Sequence, residues 1–313
     1  MNENVESREN SVAHRVMSCE FKDLSGLNDF QKLPDLKGIA ITKVGINRFR
    51  LPLTFKHGDG QFMSHDCEAS MFVNLSAGKT GVNMSRLVAI IQEESGEHFV
   101  NPNFIKTVLT RFRRELKDYE NEDDLNNSFL NLSFNYPMKQ NSLKSDNWGW
   151  QYYACEIEGK QNKDGTDEIF ITVKYEYSST CPCSLSMAKQ YEQDYLIGKT
   201  VAGNGIGAAH SQRSQATCKI QIDQTTNIFI EDIVALLRKA IPTETQSLVK
   251  RVDEQAFAIL NGENPMFVEH ASKRLHKALN ADSRIIDWSV KLEHFESLHS
   301  HNAVAYLNKG LKL

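Results

Sequence analysis

Two cysteines flank a proline in the stretch TCPCS, Cys181 and Cys183. A cysteine thiolate is either a nucleophile or a metal ligand. Zinc-binding pairs usually leave two to four residues between their cysteines. One intervening residue, and that a proline, sets two sulfurs badly on one ion, so the pattern points to one ligand and one neighbour. His210 follows in AAHSQRS, at the far end of the same connecting segment, and closing that segment brings it back beside the cysteines. His294, His299 and His301 crowd into LEHFESLHSHNAVA. Residues two apart on a strand face the same side, so His299 and His301 share a face wherever the strand stays regular. Glu254 in KRVDEQAF and Glu269 in NPMFVEHA each sit at a helix start, where the helix dipole favours a carboxylate. Thiolate, imidazole and carboxylate together suit zinc, or ferrous iron or manganese where carboxylate and water fill more of the sphere. An open position would let a bound water ionise near neutral pH. Each residue also has an ordinary use: a small buried side chain closing a strand, a solvated histidine turn, a helix-start carboxylate.

The rest of the chain must position these groups. It has 313 residues, 40% of them hydrophobic, and a net charge of −4. That length holds one large domain or two smaller ones. The balanced charge and the lack of a basic run do not suggest a nucleic-acid surface, while a local basic pocket for an anionic small substrate stays open. No apolar run approaches the roughly 20 residues that cross a bilayer, and the polar N-terminus lacks the apolar core of a secretory signal. The chain therefore reads as cytosolic, where thiols stay reduced and a cysteine cluster binds metal or does chemistry. The scattered Cys19, Cys67, Cys155 and Cys218 read as small apolar residues or idle thiols.

Residues 1–36 read as a flexible arm. Period-2 alternation predicts strands over 38–55 and 66–77, joined through the turn residues HGDG. Helices follow over 83–94, with Asn83 or Ser85 as cap, and over 101–119, with Pro102 near the start. Strands return over 129–139 and 149–159. A second half repeats the order. Strands are predicted over 167–179 and 214–222, a helix over 230–241, and more helix over 251–279 broken at Asn264-Pro265. A long final strand spans 283–297. The division is thus 1–36, 37–160 and 161–313, with two β-β-α-α-β-β units in an α+β chain. Between the first two strands of the second half lies a long segment, 180–213, carrying CPC, the helical run SLSMAKQYEQDYL, a Gly-rich GKTVAGNGIG and His210. Connections of that length inside compact domains are usually functional or disordered.

In that order SSTCPCS, AHSQRS, RVDE, NPMFVEH and FESLHSHNAVA resemble the type IB GTP cyclohydrolases, and VGINRFRLPL and GVNMSRL in the first half are similar too. The resemblance covers about residues 38–305. It implies the tunnelling fold, antiparallel sheets with helices packed on one face, two such units per chain. It implies homotetramers with active sites at subunit interfaces, and one divalent metal per site, Zn, Mn or Fe. The implied reaction takes GTP and water to 7,8-dihydroneopterin triphosphate and formate, the first step toward folate-type pterins, with metal-activated water attacking guanine C8. By motif position Cys181, His210, Glu254 and His299 are the implied metal set, and Glu269 the guanine anchor. Cys183 and His301 are candidates for proton transfer. Arg48, Lys79, Arg86 and Arg213 are candidate cations for the triphosphate. The segment QYEQDYLIGKTVAGNGIG is longer than in shorter members, which leaves Cys181 versus Cys183 open, as His299 versus His301 is. Two other readings stand beside this one. A nitrile reductase of the queuosine pathway would use a cysteine nucleophile with NADPH, and has no need of the histidines. A non-catalytic protein with a structural zinc would close the site with four protein ligands.

Overall fold

The computed structural model describes residues 38–116 and 127–312. The expected arm over 1–36, Cys19 and the end of the second predicted helix lie outside the described residues.

The first half runs β1 (Ile41–Lys56), β2 (Phe62–Leu75), α1 (Met84–Glu97), α2 (Pro102–Glu115), β3 (Ser128–Asn141) and β4 (Trp148–Gln161). The second runs β5 (Asp167–Thr180), α3 (Pro182–Leu196), β6 (Ser211–Ile222), α4 (Ile230–Ala240), α5 (Arg251–Glu263), α6 (Val268–Ala281), β7 (Ile285–His294) and β8 (Ala303–Asn308). All eight strands pair antiparallel in chain order, so both halves share one continuous sheet joined by β4 and β5. The predicted final strand over 283–297 is corrected. β7 ends at His294, the chain turns over 295–302, and β8 returns beside it.

Alternation builds the core. Leu51, Leu53 and Phe55 of β1, Met71 and Val73 of β2, and Leu130, Leu132 and Phe134 of β3 are buried. So are Ile169, Ile171, Val173 and Tyr175 of β5 and Trp288, Val290 and Leu292 of β7. They meet the apolar stripes of α1 (Leu87, Ile90, Ile91), α2 (Phe104, Val108, Leu109, Phe112), α4 (Ile233, Val234, Leu237) and α6 (Ala271, Leu275, Leu279) in one cluster. At about 25 cal/mol per Å² of apolar surface, these contacts are the main driving force of folding. Two helices differ. α3 buries none of its residues, and α5 buries only Asp253 and Asn261. Neither is a core helix, so their places are set by polar contacts.

A buried cluster ties the halves together at the β1–β2 turn. His57 Nε2 and His65 Nε2 are 3.1 Å apart, and the His57 ring stacks on Tyr136 with centroids 4.4 Å apart. Glu231, in the first turn of α4, accepts from the Tyr136 hydroxyl and the Gly58 amide and lies 3.5 Å from His57 Nδ1. Burial pulls His65 down to about 4, with the adjacent His57 adding to the fall. Burial also lowers His57, against the charges of Glu231 and Asp59. Both folded-state values lie below the ordinary value of about 6.5, so the unfolded chain binds more protons as pH drops. This contribution to stability is complete above about pH 6.5 and is lost as pH falls toward His65's folded value. The thermal unfolding midpoint is therefore expected to fall between about pH 7 and pH 5, with a shallower fall in His65→Gln. Equal slopes in the two proteins would contradict this origin.

Candidate active site

The helix-facing side of the sheet changes character at one end. Along β5 it reads Ile169, Ile171, Val173, Tyr175, Tyr177 and then Ser179; β6 starts with Gln212 and Ser214 before Ala216, Cys218 and Ile220; β7 ends in His294 after Leu292. Register sets Ser179 opposite Gln212, Tyr177 opposite Ser214, and Ser214 opposite His294. These buried polar groups satisfy one another, as they must. Gln212 Nε2 donates to Ser179 Oγ at 2.7 Å, Ser179 and Ser214 hydroxyls meet at 2.8 Å, and the Tyr177 hydroxyl meets His294 Nε2 at 2.9 Å. Burial pulls His294 down to about 4, a fall that the nearby Glu269 charge opposes. Burial likewise raises the Tyr177 hydroxyl above its ordinary value, so the Tyr177–His294 contact is a hydrogen bond between two neutral groups.

Cys181 and His210 stand side by side at the rim of this floor. The β5–β6 ladder ends at Thr180 and Ser211, and the next pair is joined by the Cys181 amide donating to the His210 carbonyl at 3.2 Å. Cys181 is the last extended residue before α3, with Pro182 in its first turn, where a missing N–H costs nothing. The Ser184 hydroxyl accepts from the His210 amide at 3.2 Å. The His210 ring lies with Nδ1 3.0 Å from Gln212 Oε1 and 3.8 Å from Glu296 Oε2. The turn carrying Glu296 is laid along β6, because the Phe295 amide donates to the Arg213 carbonyl at 3.1 Å. Cys181 is half-buried, whereas Cys183 is exposed one residue further into α3. The two sulfurs therefore have different surroundings, as the CPC spacing suggests.

Two helix starts frame the rim. The Met266 amide donates to the Thr180 carbonyl at 3.0 Å, which pins the entry to α6 next to Cys181 and puts Glu269, exposed, in its first turn. Asp253 fixes α5. It accepts from the Lys144 and Ser145 amides at 2.7 and 2.8 Å, from the Ser145 hydroxyl at 2.6 Å and from the Lys250 amide at 2.8 Å. These bonds, led by the Ser145 hydroxyl, hold its carboxyl well below the usual range. The β3–β4 turn is thereby tied to α5, which presents Glu254 on its exposed side.

The remaining predicted residues are placed apart. His299 and His301 are exposed in the turn between β7 and β8, beyond the regular strand, yet their rings stack with centroids 4.9 Å apart. Among the described residues, no three His, Cys, Asp or Glu side chains of one chain converge as a metal-ligand group. Arg213 is exposed on β6. Arg48 lies on the edge strand β1, about 19 Å from β5 at four strand spacings. It has a φ of 62° inside a bulge between Ile46 and Phe49 and reaches Glu68 at 3.5 Å. Arg86 is exposed in the first turn of α1, and Lys79 sits in the turn before that helix. Sequence reasoning missed Glu296, Gln212 and the anchoring role of Asp253. A carboxylate inside a histidine cluster was the available signal for the first. The other two depend on pairings that only the fold creates.

The family model of the type I GTP cyclohydrolase folE2 matches residues 27–305. The GTP cyclohydrolase FolE2 of Cereibacter sphaeroides is 36% identical over 271 residues, covering 87% of this chain and 71% of the relative. That of Dinoroseobacter shibae is 38% identical over 300 residues, covering 94% and 77%. Among solved structures, uricase from Arthrobacter globiformis aligns with a TM-score of 0.50 at 8% identity, over 87% of this chain and 96% of that one, a likeness of fold alone. The α+β tunnelling fold expected from the motifs is the fold observed.

Removing the Asp253 carboxylate leaves three amides without their acceptor. In Asp253→Ala, hydrogen exchange over 142–146 and 250–254 is expected to speed up about tenfold or more, while exchange in β6 and β7 stays unchanged. Unaltered exchange at Lys144 and Ser145 would contradict the anchoring role.

Proposed function

The chain belongs to the type I GTP cyclohydrolase FolE2 family, and from that premise we propose that its reaction is centred on the Cys181–His210 rim. The protein is a GTP cyclohydrolase of folate biosynthesis, the type IB enzyme, which turns GTP and water into 7,8-dihydroneopterin triphosphate and formate. The carrying observation is the junction of Cys181 and His210 through one backbone hydrogen bond, with the Glu296 carboxylate beside the same imidazole.

By donor type a thiolate, an imidazole and a carboxylate suit a divalent ion of the zinc, manganese or iron kind, although within one chain no three such side chains converge among the described residues. Cys181 Sγ and the His210 ring would hold it, with Glu254 and His299 completing the set. A metal so held supplies Lewis acidity and makes hydroxide available near neutral pH. Glu269 would take guanine by its donor edge, accepting from N1–H and the 2-amino group, a bidentate match for one carboxylate. The tether between Met266 and Thr180 keeps that helix start close to Cys181, which favours this role. Cys183 and His301, both exposed, would carry protons as the ring opens.

The triphosphate cations favour an assembled enzyme. Arg213 is on β6, the strand that follows His210, but Arg48 on β1 and Arg86 on α1 belong to the first half, Arg48 four strand spacings from β5. Among the described residues β1 and β8 are the edge strands of the sheet, β1 bridged on its outer side only at Phe55 by Val100, and such edges are places for a further strand to pair. A homotetramer in which a neighbour's Arg48 or Arg86 reaches the Cys181 rim accounts for both features. Among the described residues no helix is long and apolar enough to cross a membrane.

Protein stripped of metal and reloaded with Zn²⁺, Mn²⁺ or Fe²⁺ is expected to release formate from GTP and to yield a pterin that fluoresces after oxidation. Cys181→Ala should lower turnover by at least about 10²-fold, and Cys183→Ala by less. Full turnover in the metal-free protein, or in Cys181→Ala, would contradict the proposal.

A further inference from the structure

We propose that Gln212 is a positioning residue that holds His210 in the neutral tautomer that offers Nε2 to a metal, with the proton on Nδ1 and the lone pair on Nε2. This rests on the reading of His210 as a metal ligand.

The geometry begins in the core. Ser214 and Ser179 are fully buried and joined at 2.8 Å. Ser179 Oγ accepts from Gln212 Nε2 at 2.7 Å, and Gln212, 8% exposed, presents Oε1 to His210 Nδ1 at 3.0 Å. The amide is therefore held at both ends, and its far end is fixed to the sheet. Turned round, it would offer its NH₂ to His210 and demand a bare Nδ1. Glu296 decides between the two orientations. Its Oε2 lies 3.8 Å from the same Nδ1, and a carboxylate there favours an N–H over a lone pair. At 3.8 Å that carboxylate is beyond hydrogen-bonding reach, so the bond itself is made by Gln212.

A neutral imidazole with its proton on Nδ1 has its lone pair on Nε2. Among the described residues, Nε2 of His210 has no hydrogen-bond partner. The backbone of His210 is held on both sides as well, its amide by Ser184 and its carbonyl by Cys181. Partners that fix the far nitrogen of a ligating histidine typically change metal affinity by about 10–100-fold when removed. Gln212 meets that description from inside the sheet, and nothing in its own type marks it as part of a metal site.

The test is Mn²⁺ or Zn²⁺ affinity, measured by competition with a chromophoric chelator, beside the thermal midpoint of each metal-free protein. Gln212→Met is close in size but offers His210 no oxygen. Gln212→Asn keeps an amide too short to reach Nδ1. Both are expected to weaken metal binding about 10–100-fold with little change in the metal-free midpoint. Gln212→Glu accepts from both Nδ1–H and the Ser179 hydroxyl, and should stay within about threefold of the wild type. Wild-type affinity in Gln212→Met and Gln212→Asn would overturn the inference. So would an equal loss in Gln212→Glu, which would assign Gln212 to packing. His210→Ala is run alongside: undiminished metal binding there would show that His210 is no ligand and would sink the site reading itself.

Discussion

The register of β5, β6 and β7 is the constraint on which the site depends. One face of this sheet is apolar along most of its length and polar for its last positions, Tyr177 and Ser179, Gln212 and Ser214, and His294. Strand side chains alternate with a period of two, so a slip of one residue would turn that whole set to the opposite face. The apolar stretch forbids the slip, because Val173, Ala216, Cys218 and Val290 would leave the core with it. The hydrophobic core thus fixes chemistry it does not touch. It holds in place the serines and the glutamine on which His210 leans.

The parts that frame the site are attached by different means. α3 and α5 fully bury no apolar side chain, so the core does not by itself place them. The ladder-end bond between Cys181 and His210 starts α3, the Asp253 carboxylate anchors α5, and the Thr180 carbonyl anchors the entry to α6. Directional bonds of this kind set angle and distance more tightly than apolar contact does. The long connection between β5 and β6 is ordered by the same means. The Tyr191 hydroxyl donates to the Ala202 carbonyl and accepts from the Gly205 amide, and Gly203 and Gly205, both at a φ of 76°, supply the left-handed backbone the loop needs.

Much of the fold was legible in the sequence. Clean alternation marked β1 to β7 within a few residues, the run SLSMAKQYEQDYL marked α3, and Asn264-Pro265 marked the break between α5 and α6. The final strand was read too long, because LEHFES keeps alternating after the backbone has turned, and β8 is too short to stand out. In the site, Cys181, His210 and Glu269 could be named because they sit in quotable motifs. Gln212 and Asp253 could not, since their partners, Ser179, Ser145 and Lys144, are distant in sequence or ordinary in type. Glu296 lay in plain view within FESLHSH and gained meaning only when the turn after β7 was laid against β6.

The most direct test of the central claim is X-ray absorption at the zinc edge of the zinc-loaded protein. A site on the Cys181–His210 rim predicts one sulfur at about 2.3 Å and imidazole nitrogen at about 2.0–2.1 Å, with the sulfur shell lost in Cys181→Ser. A metal surrounded by nitrogen and oxygen alone, or a sulfur shell that survives Cys181→Ser, would contradict it.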